Sequence, residues 1–139
     1  MLGLMQNWPL TVDRILDHAN SAFPNREVAT RAIEDGQLKR TTYASIATRA
    51  KQVTNALRER SIAMGDRVAT LAWNTDRHIE AWYGAMGMGA VVHTLNPRLF
   101  PEQIAWIANH AEDKILFFDT TFTAIVEKIA PLLKTVQLY

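Results

Sequence analysis

Three short apolar runs, each followed by a helical pattern, constrain this chain more than any other feature. Arg67-Val68-Ala69-Thr70-Leu71-Ala72-Trp73, the stretch from Ala90 to Leu95, and Lys114-Ile115-Leu116-Phe117-Phe118-Asp119 hold apolar residues at consecutive positions. Strands of that kind need cover on both faces. A helical pattern runs from about Asp76 to Met88 after the first. After the second, Pro101 is well placed to open a helix with Ile104, Ile107 and Ala108 inside. After the third, Thr120 or Thr121 caps a helix carrying Phe122, Ile125, Val126 and Ile129. Strands separated by helices imply parallel neighbours, joined by crossovers of one hand. The expected fold is α/β, a doubly wound and mostly parallel sheet with helices on both faces.

The first third prepares that sheet. Val12, Ile15, Leu16 and Ala19 predict a helix over Thr11 to Ala22 with Thr11 as its N-cap. Two extended stretches, Glu27 to Ile33 and Leu38 to Thr42, meet across Glu34-Asp35-Gly36-Gln37, where Asp-Gly is a strong hairpin signal. A helix from about Tyr43 to Arg60 follows, with Ile46, Ala50, Val53 and Leu57 as its inner stripe. At the other end, Thr135 to Tyr139 reads as the opening of a fourth strand with no helix to cover it, so a domain truncated in mid-sheet is expected. No repeat, biased tract or flexible linker divides the chain, and residues 1–139 are expected to form one unit.

Composition narrows the function classes. The 139 residues include 15 basic and 14 acidic side chains and no cysteine, which excludes a disulfide scaffold and a thiolate zinc site. A net charge of +1 supplies no field for gripping nucleic acid. No apolar run approaches the ~20 residues that span a bilayer, and the N-terminus lacks a secretory signal pattern. A cytoplasmic location is therefore expected. Leu2, Leu4, Met5 and Trp8 have no adjacent Lys or Arg and make a poor membrane anchor.

Familiar catalytic patterns are missing. Gly84-Ala85-Met86-Gly87-Met88-Gly89 has the content of a dinucleotide fingerprint, but it closes a helix instead of opening one. Its glycines are expected to allow close helix–sheet approach and to stop the helix. His18, His78, His93 and His110 include no pair spaced for a metal. His93, inside an apolar strand, is read as an imidazole satisfied by a neighbour. Ser21, Ser45 and Ser61 lie in no nucleophile motif, and the acidic pairs Glu34-Asp35 and Glu112-Asp113 belong to turns. No catalytic residue and no metal site are assigned.

One geometric rule does select residues. Ligands of an open parallel sheet gather outside the carboxyl ends of its strands. Those ends carry Asn74-Thr75, Asn96-Pro97-Arg98 and Asp119-Thr120-Thr121. The asparagine and threonines have an alternative use as helix caps. A cation opposes the dipole at a helix N-terminus, so Arg98 is the candidate for meeting an anion.

Several of these segments also resemble a known family. Gly65-Asp66-Arg67-Val68-Ala69, Ala72-Trp73-Asn74-Thr75, His93-Thr94-Leu95-Asn96-Pro97-Arg98-Leu99 and Asn109-His110-Ala111-Glu112-Asp113-Lys114 stand in the order found in AMP-forming acyl-CoA synthetases of the adenylate-forming superfamily. The resemblance is strongest to bacterial fatty-acid–CoA ligases of the medium-chain type, and it covers essentially the whole chain. Tyr43-Ala44-Ser45-Ile46 is similar to the first core motif, and Gly87 through Pro97 to the second. Ser61 departs from the pattern, because the family usually has Gly closing that helix; a left-handed Ser61 should cost about 1 kcal/mol.

The resemblance implies that the chain is an N-terminal fragment of an adenylating domain. It implies a parent enzyme that joins a fatty or related carboxylic acid to coenzyme A through an acyl-adenylate, using ATP and Mg²⁺. The Gly/Ser/Thr-rich phosphate loop, the ribose-binding acid and the lysine of the C-terminal domain match nothing here, so the fragment is expected to be inactive and to hold no cofactor tightly. Arg98 is the one residue expected to touch a reactant, the phosphates of coenzyme A. The alternative is a non-catalytic interaction module that pairs with a second copy through exposed edges.

Overall fold

The structure is a computed structural model that describes residues 3–4, 7–33 and 35–139. Leu2 and Met5 of the apolar N-terminal cluster and Glu34 of the hairpin connection lie outside the described residues. Helix α1 spans Asp13–Ala22. Its first turn is closed by backbone bonds from Arg14 to the Thr11 carbonyl and from Ile15 to the Val12 carbonyl, so the Thr11 hydroxyl is not the cap. Strands β1 (Glu27–Arg31) and β2 (Leu38–Thr42) form the expected antiparallel hairpin, with Glu27 opposite Thr42 and Arg31 opposite Leu38. Thr42 then caps α2 (Tyr43–Glu59), its hydroxyl accepting from the Ser45 N–H at 3.2 Å.

The main sheet contains β3 (Arg67–Leu71), β4 (Val91–Thr94) and β5 (Ile115–Phe118), all parallel, in the order β4-β3-β5. Helix α3 (Asp76–Met86) connects β3 to β4, and α4 (Pro101–Ala111) carries the chain back to the other side of β3. Two crossovers of one hand running in opposite directions must use opposite faces of the sheet. The cores confirm it. Val68 and Ile115 pack with Leu57 of α2 and Ala85 of α3. Their neighbours Ala69, Leu71 and Leu116 pack with Ile104, Ala105 and Ala108 of α4 and with Val126 and Ile129 of α5 (Thr123–Ile129). A single 3-10 turn, Thr120–Phe122, precedes α5. Beyond it, Leu138 bridges Ile115 in parallel, with the Leu116 N–H on the Leu138 carbonyl at 3.0 Å, so a fourth strand position opens beside β5.

Three helices end in the same way. After α2, Ser61 takes φ +60°, its N–H bonds to the Arg58 carbonyl, and the Ile62 N–H returns to Leu57. Gly89 (φ +82°) with Ala90 repeats this after α3, and Glu112 (φ +55°) with Asp113 repeats it after α4. Each is a Schellman motif, whose left-handed residue turns the chain from helix into strand. Ser61, where the resembled family usually has Gly, does take the left-handed conformation. The expected glycine contact is different in kind: a Cβ on Gly84 would stand 2.6 Å from Val53 Cβ, so this glycine brings α3 against α2 rather than against the sheet.

Candidate functional site at the carboxyl end of the sheet

Register places Thr70 opposite Thr94 of β4 and Phe117 of β5, so the chain leaves all three strands at one end of the sheet. The segment after β3 turns into α3 on one face, and the segment after β5 turns into α5 on the other. The point where the winding reverses lies between β3 and β5, where an α/β sheet normally opens a ligand crevice.

Here that crevice holds Trp73. Its backbone N–H donates to Asp119 Oδ2 at 2.6 Å and its indole N–H to Thr121 Oγ1 at 2.9 Å. The ring lies on Phe122, with centroids 4.9 Å apart and planes tilted by 33°. Asp119 and Thr121, two sequence candidates, therefore hold a side chain of the protein itself. Thr75 is the N-cap of α3, accepting from the His78 N–H at 3.4 Å, and the Thr120 carbonyl accepts from the Thr123 hydroxyl at 2.7 Å. Trp73 escaped the sequence reading because it ends an apolar strand and so resembles core.

Asn74 and Arg98 stand apart. Both are exposed, and among the described residues neither side chain has a hydrogen-bond or ion-pair partner. The position of Arg98 is well defined. Its N–H donates to Asn96 Oδ1 at 2.9 Å, Leu99 packs inward on the core, and Gln103 Oε1 accepts from the Phe100 N–H at 3.1 Å where Pro101 opens α4. The loop is pinned on both sides, with an exposed guanidinium between the pins.

A cavity of about 280 Å³ adjoins Asn74, walled by Thr75, His78, Ile79 and Trp82. The Trp82 indole N–H donates to His78 Nε2 at 3.0 Å, and Thr70 Oγ1 lies 2.9 Å from the same nitrogen. An indole N–H can only donate, so Nε2 is an acceptor and the ring proton sits on Nδ1. Burial holds the His78 pKa below its ordinary value, against the opposing pull of the Trp73 carbonyl and the Asp119 charge. The imidazole is neutral and serves to fix the tryptophan. Sequence reading found His78 but not this cavity, since the signal is the i, i+4 pairing of a histidine and a tryptophan on one helix.

His93 lies on the opposite face of the sheet. Its Nδ1 is 2.8 and 3.0 Å from the two carboxylate oxygens of Asp113, which is fully buried. Burial raises the Asp113 pKa and the histidine opposes that rise. The pair ties edge strand β4 to the turn before β5, away from the carboxyl ends. A surface depression of about 700 Å³ lies at the α1–β1 connection around Phe23–Glu27, also away from those ends. Among the described residues no three His, Asp or Glu side chains are grouped to hold a metal, and no helix is long and apolar enough to cross a membrane.

The profile of a family described as "AMP-binding enzyme" matches residues 16–138. The chain is 47% identical over 137 residues to a 3-methylmercaptopropionyl-CoA ligase of Ruegeria pomeroyi, covering 99% of this chain and 25% of that protein. It is also 47% identical over 133 residues to a long-chain-fatty-acid–CoA ligase of Thermus thermophilus, covering 96% of this chain and 24% of that protein. Among solved structures, a Mycobacterium tuberculosis fatty acyl CoA synthetase superposes with a TM-score of 0.80 at 25% identity, over 92% of this chain and 26% of that one. The chain spans about a quarter of the length of the relatives it matches.

Proposed function

The chain belongs to the AMP-binding enzyme family, and from that membership we propose that residues 1–139 are the N-terminal subdomain of a cytoplasmic acid–CoA ligase acting on a fatty or related carboxylic acid. The observation that carries the reading is 47% identity, over nearly the whole chain, to two ligases whose names share coenzyme A as acceptor and differ in their acid.

In the proposed reaction a carboxylate oxygen attacks the α-phosphorus of ATP and pyrophosphate leaves. The thiol of coenzyme A then attacks the acyl carbonyl and AMP leaves. Mg²⁺ would neutralise the phosphates during the first step, held outside this segment, whose described residues group no ligand set for it. The segment's own contribution is positional. A rigid α/β layer sets the loop after β4, and the Arg98 guanidinium, planar and always charged, suits two-point contact with a phosphate of coenzyme A. The absence of a Gly/Ser/Thr-rich phosphate loop supports the further reading that the 139-residue chain alone does not activate an acid.

Two measurements test this. In the full-length protein carrying the segment, Arg98→Ala is expected to raise KM for coenzyme A about tenfold while KM for ATP stays the same; an unchanged KM for coenzyme A removes Arg98 from the site. The purified 139-residue chain is expected to release no pyrophosphate from ATP and an acid, and release would refute its inactivity. Among the described residues no strand pairs with the outer edge of β4, which supports a second reading, self-association of a separately made chain, which sedimentation velocity tests.

A further inference from the structure

We propose that the groove between α1 and α2 is a separate ligand site that takes a small amphipathic anion, its charged head on Lys51, Asn55 and Arg58 and its apolar body on Leu16, Ala47 and Ala50. The groove encloses about 410 Å³, within the ~300–1,000 Å³ usual for small-molecule pockets. It stands apart from the carboxyl ends of the strands. Helix α3 leaves β3 at those ends and runs back to deliver β4, so Gly87 at its close, which lines the groove, lies toward the opposite end of the sheet.

Charge decides the class of ligand. Lys51, Asn55 and Arg58 recur at i, i+4 and i+7, on one face of α2. All three are exposed, and among the described residues none of their side chains has a hydrogen-bond or ion-pair partner. The facing wall carries Asp13 and Asp17 of α1, but Arg14 already shares both: its Nη1 donates to Asp17 Oδ2 at 3.3 Å and its Nε is 3.9 Å from Asp13 Oδ2. Positive charge is therefore left unanswered on the α2 side alone. Two cations with a carboxamide between them suit a carboxylate, sulfonate or phosphate head. Beneath them Leu16, Ala47 and Ala50 are buried, an apolar floor that a bare inorganic anion would leave uncovered and a short alkyl or aryl group would cover. The floor is built before any ligand arrives, because Gly84 lets α3 lie against α2 and the Thr54 hydroxyl donates to the Gly84 carbonyl at 2.6 Å. Tyr83 of α3 closes the groove. Burial raises its phenol pKa and Tyr43 adds to the rise, so the hydroxyl stays protonated and can donate to an anion.

The test uses the full-length protein carrying the segment, without ATP or coenzyme A, and octane-1-sulfonate as the probe. Calorimetry should show saturable binding of this probe and much weaker binding of methanesulfonate, which lacks the apolar body, and of octyltrimethylammonium, which inverts the charge. Lys51→Ala and Arg58→Ala are each expected to weaken binding about fivefold, the upper end for an exposed ion pair. Lys51→Arg should retain the affinity, and Arg98→Ala, at the other end of the sheet, should not change it. Bound probe should also slow acetylation of Lys51 by acetic anhydride, read by mass spectrometry, and leave Lys39 and Lys128 unprotected. Equal affinity for the cationic probe, unaltered binding in both alanine variants, or equal protection of all three lysines would overturn the proposal. So would a loss confined to Arg98→Ala, because the anion would then sit at the carboxyl ends. None of these readouts requires turnover, so a protein that forms no thioester would refute the ligase reading while the probe still decides what the groove takes.

Discussion

Ser61→Gly is expected to stabilise the protein. Ser61 occupies φ +60° at the end of α2, where an L side chain crowds the following carbonyl. The left-handed conformation costs a non-glycine residue about 1–2 kcal/mol. Glycine removes that cost but loses about 0.5–1 kcal/mol through the greater freedom of its unfolded chain. The net gain should be about 0.5–1 kcal/mol. The Schellman bonds come from the backbone, the Ile62 N–H to Leu57 and the Ser61 N–H to Arg58, so the substitution keeps them. Ile62 and Leu57 remain packed in one core cluster. With an unfolding entropy of ~2.1 cal/mol/K per residue, a chain of this size should gain about 2–3 °C in Tm. Urea denaturation should give a higher midpoint with an unchanged slope, since the buried surface stays the same. Ser61→Ala is the control, because it removes the hydroxyl and keeps the Cβ. If alanine stabilises as much as glycine, or glycine stabilises not at all, backbone strain at residue 61 is not the cause.

Two further predictions concern buried polar groups. Glu80 is 3% exposed and accepts from Arg49 Nε at 2.6 Å, so Arg49→Leu should strand a buried carboxylate and cost about 2 kcal/mol, less than for a fully buried pair because Arg49 is half exposed. Adding Glu80→Gln should recover part of that loss in urea titrations; no recovery would mean that the arginine acts through packing. His78 is neutral in the fold with a lowered pKa, so below its ordinary value near 6.5 the unfolded chain binds the extra proton and stability falls with pH. His78→Gln should flatten the profile from pH 6.5 down to 5, and an unchanged slope would show that His78 titrates alike in both states.

The division between what the sequence discloses and what it conceals follows the range of the interactions. Strands β3 and β5 are legible because apolar residues at consecutive positions have no stable place except between two covered faces. Helix α4 is legible because Pro101 and the Ile104, Ile107 and Ala108 spacing are local features. Positions at the strand ends are legible by rule, since a parallel sheet sends every strand out at the same end. Which of those residues remain free to meet a ligand is decided elsewhere. Asp119 and Thr121 are committed by Trp73, 46 and 48 residues earlier in the chain, and the route of that indole depends on β5 pairing beside β3. Arg49 finds Glu80 only because Gly84 lets α3 lie against Val53 of α2. Among the described residues Asn74 and Arg98 keep unbonded side chains for the opposite reason: each follows its strand in a loop whose hydrogen bonds are already met by other atoms, Thr75 Oγ1 in one case and Asn96 Oδ1 in the other. The proposal that Arg98 meets a ligand rests on that combination, a side chain unbonded among the described residues on a backbone that the fold fixes, and pairing across the sheet was needed to tell Asn74 and Arg98 from their neighbours.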